Sequence, residues 1–200
     1  MIDIQSHIVE FRNGESGKHV FHMDKVIQLL LDKIVQKTDK YPSLWQERIL
    51  IRTASALHDI GKIGIDEAIL NKPGRLTAEE FESMKAHTTI GADMLRNLPR
   101  YQEERILQIA IEICRWHHER YDGKGYPDGL VGDEIPISAQ LVSIADVYDA
   151  LTSERVYKKA FSHEKAMQMI REGECGAFNP LLLSCLEAVS YTHLTLPTIL

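Results

Sequence analysis

Residues 117–129 read His-His-Glu-Arg-Tyr-Asp-Gly-Lys-Gly-Tyr-Pro-Asp-Gly, and they indicate both the end of a helix and a candidate site. Two adjacent histidines close an apolar helical run, and a glycine-rich turn containing Pro127 follows at once. Imidazole is the commonest biological metal ligand, and adjacent side chains on a helix point about 100° apart. His117 and His118 could therefore serve two metal ions, or one ion and one outer group.

A second motif, residues 58–62 (His-Asp-Ile-Gly-Lys), adds a histidine, a carboxylate and a basic group. A carboxylate such as Asp59 can bridge two cations, which hold a hydroxide between them and polarise a phosphate. Eight positions carry suitable metal-ligand chemistry: Glu15, His19, His58, Asp59, His87, His117, His118 and Asp146. Imidazole and carboxylate ligands without cysteine favour Fe, Mn, Zn or Ni over a structural zinc or copper-thiolate site.

The spacing of these candidates separates them from isolated polar residues. Glu15 and His19 lie four positions apart, so they share one face if the segment is helical. A single histidine on a helix is more often a surface group or a hydrogen-bonded structural residue, and we interpret His7, His22 and His163 in that way. A whole set that arrives as His-Asp, His-His and Glu-x-x-x-His pairs is much harder to explain structurally.

Hydrophobic spacing predicts an all-α fold, a compact bundle with one long irregular loop. The predicted helices are Val20–Thr38, Trp45–Leu57, Thr77 to about Leu98, Glu103–His118, Ser138–Leu151, and Ser162 or His163 to Glu172. Thr77 and Glu80 form the pattern of a capping box, and no strands are expected beyond a short pair. The loop Glu119–Pro136 is long for a helical domain, which predicts a functional role. Its residues Gly123, Gly125 and Gly129 allow positive φ or close backbone approach to a ligand.

Composition limits the function classes. The chain has 200 residues, enough for one substantial domain, with 44% hydrophobic and 26% charged residues. Its net charge of −6 argues against a general binder of polymeric nucleic acid or of anionic membranes. No apolar stretch reaches the about 20 residues of a membrane helix, and the start lacks a signal-peptide pattern. Three cysteines without a CxxC pair favour reduced thiols, so we expect a cytoplasmic protein.

Together these motifs closely resemble the HD-GYP phosphodiesterases of bacterial signalling. His58-Asp59 matches the HD signature, residues 125–127 are Gly-Tyr-Pro, and Asp146 lies in Ile-Ala-Asp-Val-Tyr-Asp-Ala-Leu. The resemblance extends from about Glu15 to Pro180. It implies a helical bundle that hydrolyses cyclic di-GMP to pGpG, to GMP, or to both, with two or three divalent metal ions, most often Fe or Mn.

The resemblance also implies roles for individual residues. The eight candidates above would be metal ligands, with Asp59 bridging, and Glu15 and His19 would hold the third ion seen in some members. Asp59 and Lys62 would be the catalytic pair, with Lys62 beside the scissile phosphate. Tyr126 would line the substrate pocket.

Three further positions follow from the same resemblance. Arg155 and Lys158 would hold substrate phosphates or guanine, and a solvated helix end is the structural alternative for both. Asn179 stands where the family has Asp in a Gly-x-Phe-Asp-Pro stretch. That position looks structural, so we do not interpret the change as a loss of activity.

The domain is expected to span residues 1–188. Residues 189–200 (Val-Ser-Tyr-Thr-His-Leu-Thr-Leu-Pro-Thr-Ile-Leu) contain no Asp, Glu, Lys or Arg and resemble a translated sequencing adapter. We exclude them from the fold, and His193 from the ligands; an ordinary Thr/Leu-rich strand is the alternative. Such domains usually follow a receiver or sensor domain, so an N-terminal partner domain of a response regulator is expected.

Two other functions stay open at the level of sequence. One is an HD hydrolase of another nucleotide, such as a mixed cyclic dinucleotide. The other is a non-catalytic signalling module that binds nucleotide or a GGDEF-type cyclase. The Gly-Tyr-Pro loop favours cyclic di-GMP over the first alternative. The full set of metal ligands together with Lys62 argues against the second, because a binding module has no chemical need for them.

Overall fold

Helices form nearly all the regular structure in the computed structural model, which describes residues 18–154 and 159–189. The α-helices are α1 Lys18–Lys37, α2 Leu44–Ser55, α3 Glu67–Leu70, α4 Ala78–Lys85, α5 His87–Arg96, α6 Arg105–Trp116, α7 Ile137–Thr152, α8 His163–Arg171 and α9 Pro180–Val189. Short 3₁₀ helices lie at Ile60–Gly64, Pro99–Tyr101 and Gly132–Glu134. Within the described ranges, β pairing is limited to an isolated bridge between Asp122 and Val131. The all-α fold class is therefore confirmed.

One predicted helix is wrong in its length. The segment from Thr77 to Leu98 is two helices, α4 and α5, that meet at Ala86. His87, Thr88 and Thr89 each bond through their side chains to a carbonyl oxygen three residues earlier, at 2.7, 2.9 and 3.0 Å. Side chains that bond to these carbonyls compete with the backbone hydrogen bonds of a continuing helix, and three of them in succession mark the break.

The start of α4 follows the predicted pattern. Thr77 Oγ1 accepts from the backbone N–H of Glu80 at 3.2 Å, and the Glu80 carboxylate accepts from the backbone N–H of Thr77 at 2.7 Å. The capping box is therefore confirmed. It fixes the entry of the chain into the helix that carries Phe81 and Lys85.

The core lies between α1, α2, α6, α7 and α9. α1 packs against α2, α7 and α9, and α6 packs against α2, α5 and α7. Ile27 and Leu30 of α1, Ile113 of α6 and Ile144 of α7 have no exposed surface. Burial of such side chains stabilises a fold by about 1.5 to 3 kcal/mol each. This packing holds the helices in a fixed relation, and one end of the bundle carries the polar candidates.

A close backbone contact joins the turn Ile60–Gly64 to α5. A Cβ atom added at Gly61 would lie 1.9 Å from the backbone oxygen of His87 and 2.4 Å from the backbone nitrogen of Gly91. Only glycine lets the two backbones approach this closely. The contact brings the residue before the turn, Asp59, next to His87.

Some expectations fall outside the described residues. These are Glu15, Arg155, Lys158, His7 and His193. Val189, which we assigned to the tail, is the buried last residue of α9, so the predicted boundary lies one residue inside this helix. Residues 190–200 are not described. In the segments that are, no helix is long and apolar enough to cross a membrane.

Asn179 has the structural position expected for it. The side chain is buried and donates through Nδ2 to Gln140 Oε1 at 2.9 Å. Its Oδ1 accepts from the backbone N–H of Leu181 at 2.9 Å, next to the start of α9. An asparagine amide can both donate and accept, so it serves this contact pair without a negative charge.

Candidate metal centre

Four of the candidate ligands form one cluster, with Asp59, His87, His117 and His118 each offering an atom within 4.8 Å of the others. Asp59 Oδ1 lies 3.3 Å from His87 Nε2 and 3.9 Å from His117 Nε2. The Nε2 atoms of His87 and His117 are 3.5 Å apart. Ligands bound to one ion at about 2.1 Å are themselves separated by about 3 to 3.5 Å. These four residues therefore surround a volume of the right size for a cation.

A second group lies beside the first and contains His19, His58 and Asp146. His19 Nε2 is 3.5 Å from Asp146 Oδ1. His58 Nε2 is 3.2 Å from Asp59 Oδ2, the oxygen that does not face His87. Asp59 thus has one oxygen toward each group, which is the arrangement that a bridging carboxylate needs.

Local helix structure orients three of the histidines. Nδ1 of His58, His87 and His117 bonds to a carbonyl oxygen in the preceding turn, at 2.9, 2.7 and 2.9 Å. A carbonyl only accepts, so Nδ1 carries the proton and Nε2 of a neutral ring carries the lone pair. The three Nε2 atoms face the cluster, which is the tautomer that metal binding requires.

Two buried polar atoms at the centre have no hydrogen-bond partner among residues 18–154 and 159–189, His58 Nε2 and Asp59 Oδ1. An unsatisfied buried polar group costs about 1 to 3 kcal/mol. A cation between the two groups would satisfy both atoms at once. The donor set and the unsatisfied atoms therefore fit divalent metal ions.

Burial and neighbouring charges divide the histidines into two kinds. Burial, together with the neighbouring His118, holds the pKa of His117 well below its usual range; burial and the nearby His87 lower the pKa of His118 to about 4. Burial also disfavours the charged form of His58, but the carboxylate of Asp59 outweighs it and raises the His58 pKa to about 9. The pKa of Asp59 is lowered well below its usual value because Lys62 and His58 outweigh its burial. Both shifts favour an ionised Asp59 beside a protonated His58 when no ion is bound.

Metal binding at neutral pH is expected to release a proton from His58, because only the neutral imidazole binds a metal ion. Since its pKa is about 9 without metal, apparent affinity should rise with pH up to that value and level off above it. Calorimetric titration of Mn²⁺ into metal-free protein, in buffers of different ionisation enthalpy, measures the released protons. Binding without proton release at neutral pH would contradict the charge assigned to His58.

Asp149 is a site residue that the sequence analysis missed. It is buried on α7 one turn after Asp146, and its Oδ2 lies 2.6 Å from Nδ1 of His19. Its Oδ1 accepts from Ser153 Oγ at 2.7 Å and lies 3.2 Å from His22 Nδ1. The bond to Nδ1 turns Nε2 of His19 toward Asp146, a carboxylate–histidine–metal arrangement. The Asp-x-x-Asp spacing of 146 and 149 was the available signal.

Asp149→Asn is expected to weaken metal binding by about 10- to 100-fold at the group that contains His19, because it removes the negative charge that strengthens the bond to this ring and replaces one of the two acceptor oxygens by an NH2 donor. The variant keeps the size of the side chain, so the helix content should stay unchanged. Mn²⁺ titration and circular dichroism together test this. Asp24→Asn is the matched control, since Asp24 pairs with Arg52 and lies in neither group. Equal Mn²⁺ affinity in both variants would contradict the positioning role.

Glu119, also missed, holds the glycine-rich loop. The buried carboxylate accepts three backbone N–H groups, from residues 128, 129 and 130, at 2.7, 3.0 and 3.1 Å. Gly125 lies so close to this segment that a Cβ atom there would be 2.4 Å from Glu119 Cα. Gly123 and Gly129 have φ of 75° and 69°. The predicted positive φ is thus confirmed at Gly123 and Gly129, whereas the close approach at Gly125 is to the backbone of Glu119 and Arg120.

Lys62 and Tyr126 both lie at the cluster. Lys62 Nζ is 2.7 Å from Asp59 Oδ2. The ring of Tyr126 stacks on that of His118, with centroids 4.8 Å apart, and burial raises the pKa of its hydroxyl. The structure thus brings together all the described candidates, while the positions of Glu15, Arg155 and Lys158 are not described.

A family model described as HD domain matches residues 10–180 of the chain. The chain belongs to the HD domain family. A cyclic di-GMP phosphodiesterase of Vibrio cholerae is 42% identical over 92% of this chain and 38% of that protein. The cyclic di-GMP phosphodiesterase response regulator RpfG of Xanthomonas campestris is 37% identical over 90% of this chain and 44% of that protein. This HD domain chain therefore spans less than half of either relative.

Further comparisons concern the substrate and the fold. Three other relatives from Vibrio cholerae are named 3'3'-cGAMP-specific phosphodiesterases. The solved structure of Bd1817, an HDG"Y"P protein from Bdellovibrio bacteriovorus, superposes with a TM-score of 0.60 at 19% identity. The superposition covers 95% of this chain and 62% of the Bd1817 chain. These comparisons confirm the resemblance to HD-GYP proteins drawn from the sequence motifs.

Proposed function

We propose that this HD domain is a metal-dependent phosphodiesterase that hydrolyses cyclic di-GMP to pGpG, GMP or both. The observation that carries the proposal is the pair of buried His/Asp groups joined by Asp59, with Lys62 against the same carboxylate. The relatives named cyclic di-GMP phosphodiesterases support the choice of substrate.

Two or three divalent ions, Fe or Mn, are proposed as cofactors. Asp59, His87, His117 and His118 would hold one ion, and His58, Asp146 and a shared oxygen of Asp59 would hold another. His19 offers Nε2 alone, because its Nδ1 bonds to Asp149. It would complete the second site if two ions bind, or hold a third ion together with Glu15. When bound, such ions lower the pKa of a coordinated water and stabilise the charge that develops on the phosphate oxygens.

The chain's own side chains would bind and orient the substrate. Lys62 would place its ammonium beside the scissile phosphate and offset part of its charge. Tyr126 would line the pocket against His118, and Arg155 and Lys158 would bind the second phosphate or a guanine. Hydrolysis adds water at phosphorus and breaks its bond to the ribose 3' oxygen, which leaves as a hydroxyl after it gains a proton.

Turnover tests the function directly. Protein purified anaerobically and loaded with Mn²⁺ or Fe²⁺ is expected to convert cyclic di-GMP to pGpG or GMP, identified by product chromatography. Metal analysis of the same preparation gives the number of ions. Binding of cyclic di-GMP without turnover with either metal would favour a non-catalytic signalling module.

A second candidate substrate is 3'3'-cGAMP, because three relatives are named for it. Faster hydrolysis of 3'3'-cGAMP than of cyclic di-GMP, measured as kcat/KM, would select this alternative. We further propose a cytoplasmic setting, supported by the lack of a CxxC pair among the three cysteines and by the burial of the Cys114 and Cys185 thiols. A receiver or sensor domain and GGDEF-type cyclases are the proposed partners; the relative named a response regulator supports the first of these.

A further inference from the structure

A row of aromatic rings leads from the metal centre to the surface. Tyr126 stacks on the candidate ligand His118 at an interplanar angle of 27°. Phe81 of α4 meets Tyr126 edge to face, with ring centroids 6.4 Å apart and planes at 80°. Phe81 is 46% exposed. The outer end of the row therefore offers an apolar ring to solvent directly beside the candidate site.

The ammonium group of Lys85 lies beside the two outer rings. Lys85 Nζ lies 5.0 Å from the ring centroid of Phe81 and 5.4 Å from that of Tyr126. It also pairs with Glu82 at 2.6 Å. Phe81 and Lys85 are four residues apart, and such a pair by itself is a common, weakly stabilising contact on a helix surface. A helix pair does not require the further contact with a ring from the loop.

These groups match the chemistry of a purine. Exposed aromatic rings stack nucleobases, at about 1 to 3 kcal/mol per base. A lysine ammonium donates to O6 and N7 of guanine, whereas adenine presents its N6 amino donor in place of O6. The buried histidines, Asp59 and Lys62 form the phosphate end of the site, so a base attached through ribose must lie outside them, toward the rim.

We propose that Phe81 and Lys85 form a guanine-binding subsite at the rim of the metal centre. The base stacks on the exposed ring of Phe81, and Lys85 donates to its O6 and N7 atoms. The subsite makes a guanine-bearing cyclic dinucleotide the preferred substrate class over one that carries only adenine. This inference rests on the proposed phosphodiesterase function and adds a selectivity for the base.

The first test separates base binding from phosphate chemistry. Phe81→Ala in the full chain is expected to raise KM for cyclic di-GMP by about 5- to 100-fold, as lost stacking predicts, with kcat within about twofold. Hydrolysis of bis(p-nitrophenyl) phosphate, which carries no purine, should stay unchanged. Trp45→Ala is the matched control, because Trp45 is 51% exposed, has Arg48 over its ring and lies in the first turn of α2, at the end opposite His58.

The second test concerns the choice of base. Lys85→Met removes the charge and the donors but keeps the length of the side chain. It should lower the ratio of kcat/KM for cyclic di-GMP to that for cyclic di-AMP by about 10-fold or more. Three results would overturn the subsite. One is an unchanged ratio of the two kcat/KM values in Lys85→Met. The others are an unchanged KM for cyclic di-GMP in Phe81→Ala, or a loss of bis(p-nitrophenyl) phosphate hydrolysis in that variant equal to its loss of cyclic di-GMP hydrolysis.

Failure of the parent proposal gives a different result. If the wild-type chain cleaves bis(p-nitrophenyl) phosphate but not cyclic di-GMP, the proposed function is wrong. The subsite is then decided by calorimetry with mononucleotides. GMP must bind more tightly than AMP, and Phe81→Ala must weaken GMP binding; equal affinities would overturn it. Unchanged melting temperatures of both variants establish that they fold.

Discussion

Asp59→Ala is expected to abolish turnover of cyclic di-GMP, with a fall of about 1,000-fold or more, and to lower bound metal by at least one equivalent. The physical reason is that Asp59 supplies an oxygen to each ligand group and the negative charge between His58, His87 and Lys62. Without it, the ammonium of Lys62 and the imidazole of His58, whose pKa is raised, face each other with no carboxylate between them. Product chromatography and metal analysis measure the two effects.

Asp24→Ala is the control for this variant. Asp24 is also a partly buried carboxylate, but both its oxygens accept from Arg52 at 2.7 Å, and it belongs to neither ligand group. The Asp24→Ala variant should keep the metal content and the turnover of the unsubstituted chain. Near-normal metal content and activity in Asp59→Ala itself would show that this carboxylate does not bridge the site.

Gly61→Ala is expected to lower the free energy of unfolding by about 3 kcal/mol or more and to reduce bound metal. The added methyl group would meet backbone atoms of α5, which cannot rotate away as a side chain can. Relief requires the turn after Asp59 to move away from His87, and this separates two candidate ligands. Urea unfolding and metal analysis of the same preparation give both quantities.

The control lies on the opposite side of the same contact. A Cβ atom added at Gly91 would lie 3.1 Å from the backbone nitrogen of Gly61 and 3.3 Å from a methyl carbon of Ile60. These distances require the neighbouring atoms to give by only a few tenths of an ångström, and the preference of alanine over glycine in a helix, about 1 kcal/mol, offsets that cost. Gly91→Ala should therefore stay within about 1 kcal/mol of the unchanged chain. Equal losses of unfolding free energy in Gly61→Ala and Gly91→Ala would contradict the different backbone clearances at these two positions.

The sequence predicts the parts of the site whose ligands are adjacent in the chain. His58-Asp59 and His117-His118 are recognisable because two ligand types stand side by side, and helical periodicity places them at the ends of apolar runs. Tyr126 and Lys62 follow from the same motifs. The contact that joins the two motifs in space depends on Gly61 and α5, and no local pattern encodes it.

Other site features leave little or no trace in the sequence. Asp149 and Glu119 are single acids, and a lone acid on or after a helix is usually solvated; their partners, His19 and the backbone of residues 128–130, become visible only in three dimensions. The break at Ala86 depends on side chains that bond to carbonyls instead of facing solvent. The helix propensity of residues 77–98 favoured one continuous helix, and these side-chain hydrogen bonds outweighed that propensity.

The bonds from Nδ1 of His58, His87 and His117 to carbonyls of the preceding turn have a consequence for metal exchange. Each ring takes its orientation from its own segment of chain, so the cavity keeps its shape whether or not an ion is inside. Loss of an ion then leaves the fold standing, and ions of similar radius can replace one another without refolding. Under this arrangement, the ion found in a purified sample is expected to depend on the relative affinities and supply of the metals and not on which ion was present while the chain folded.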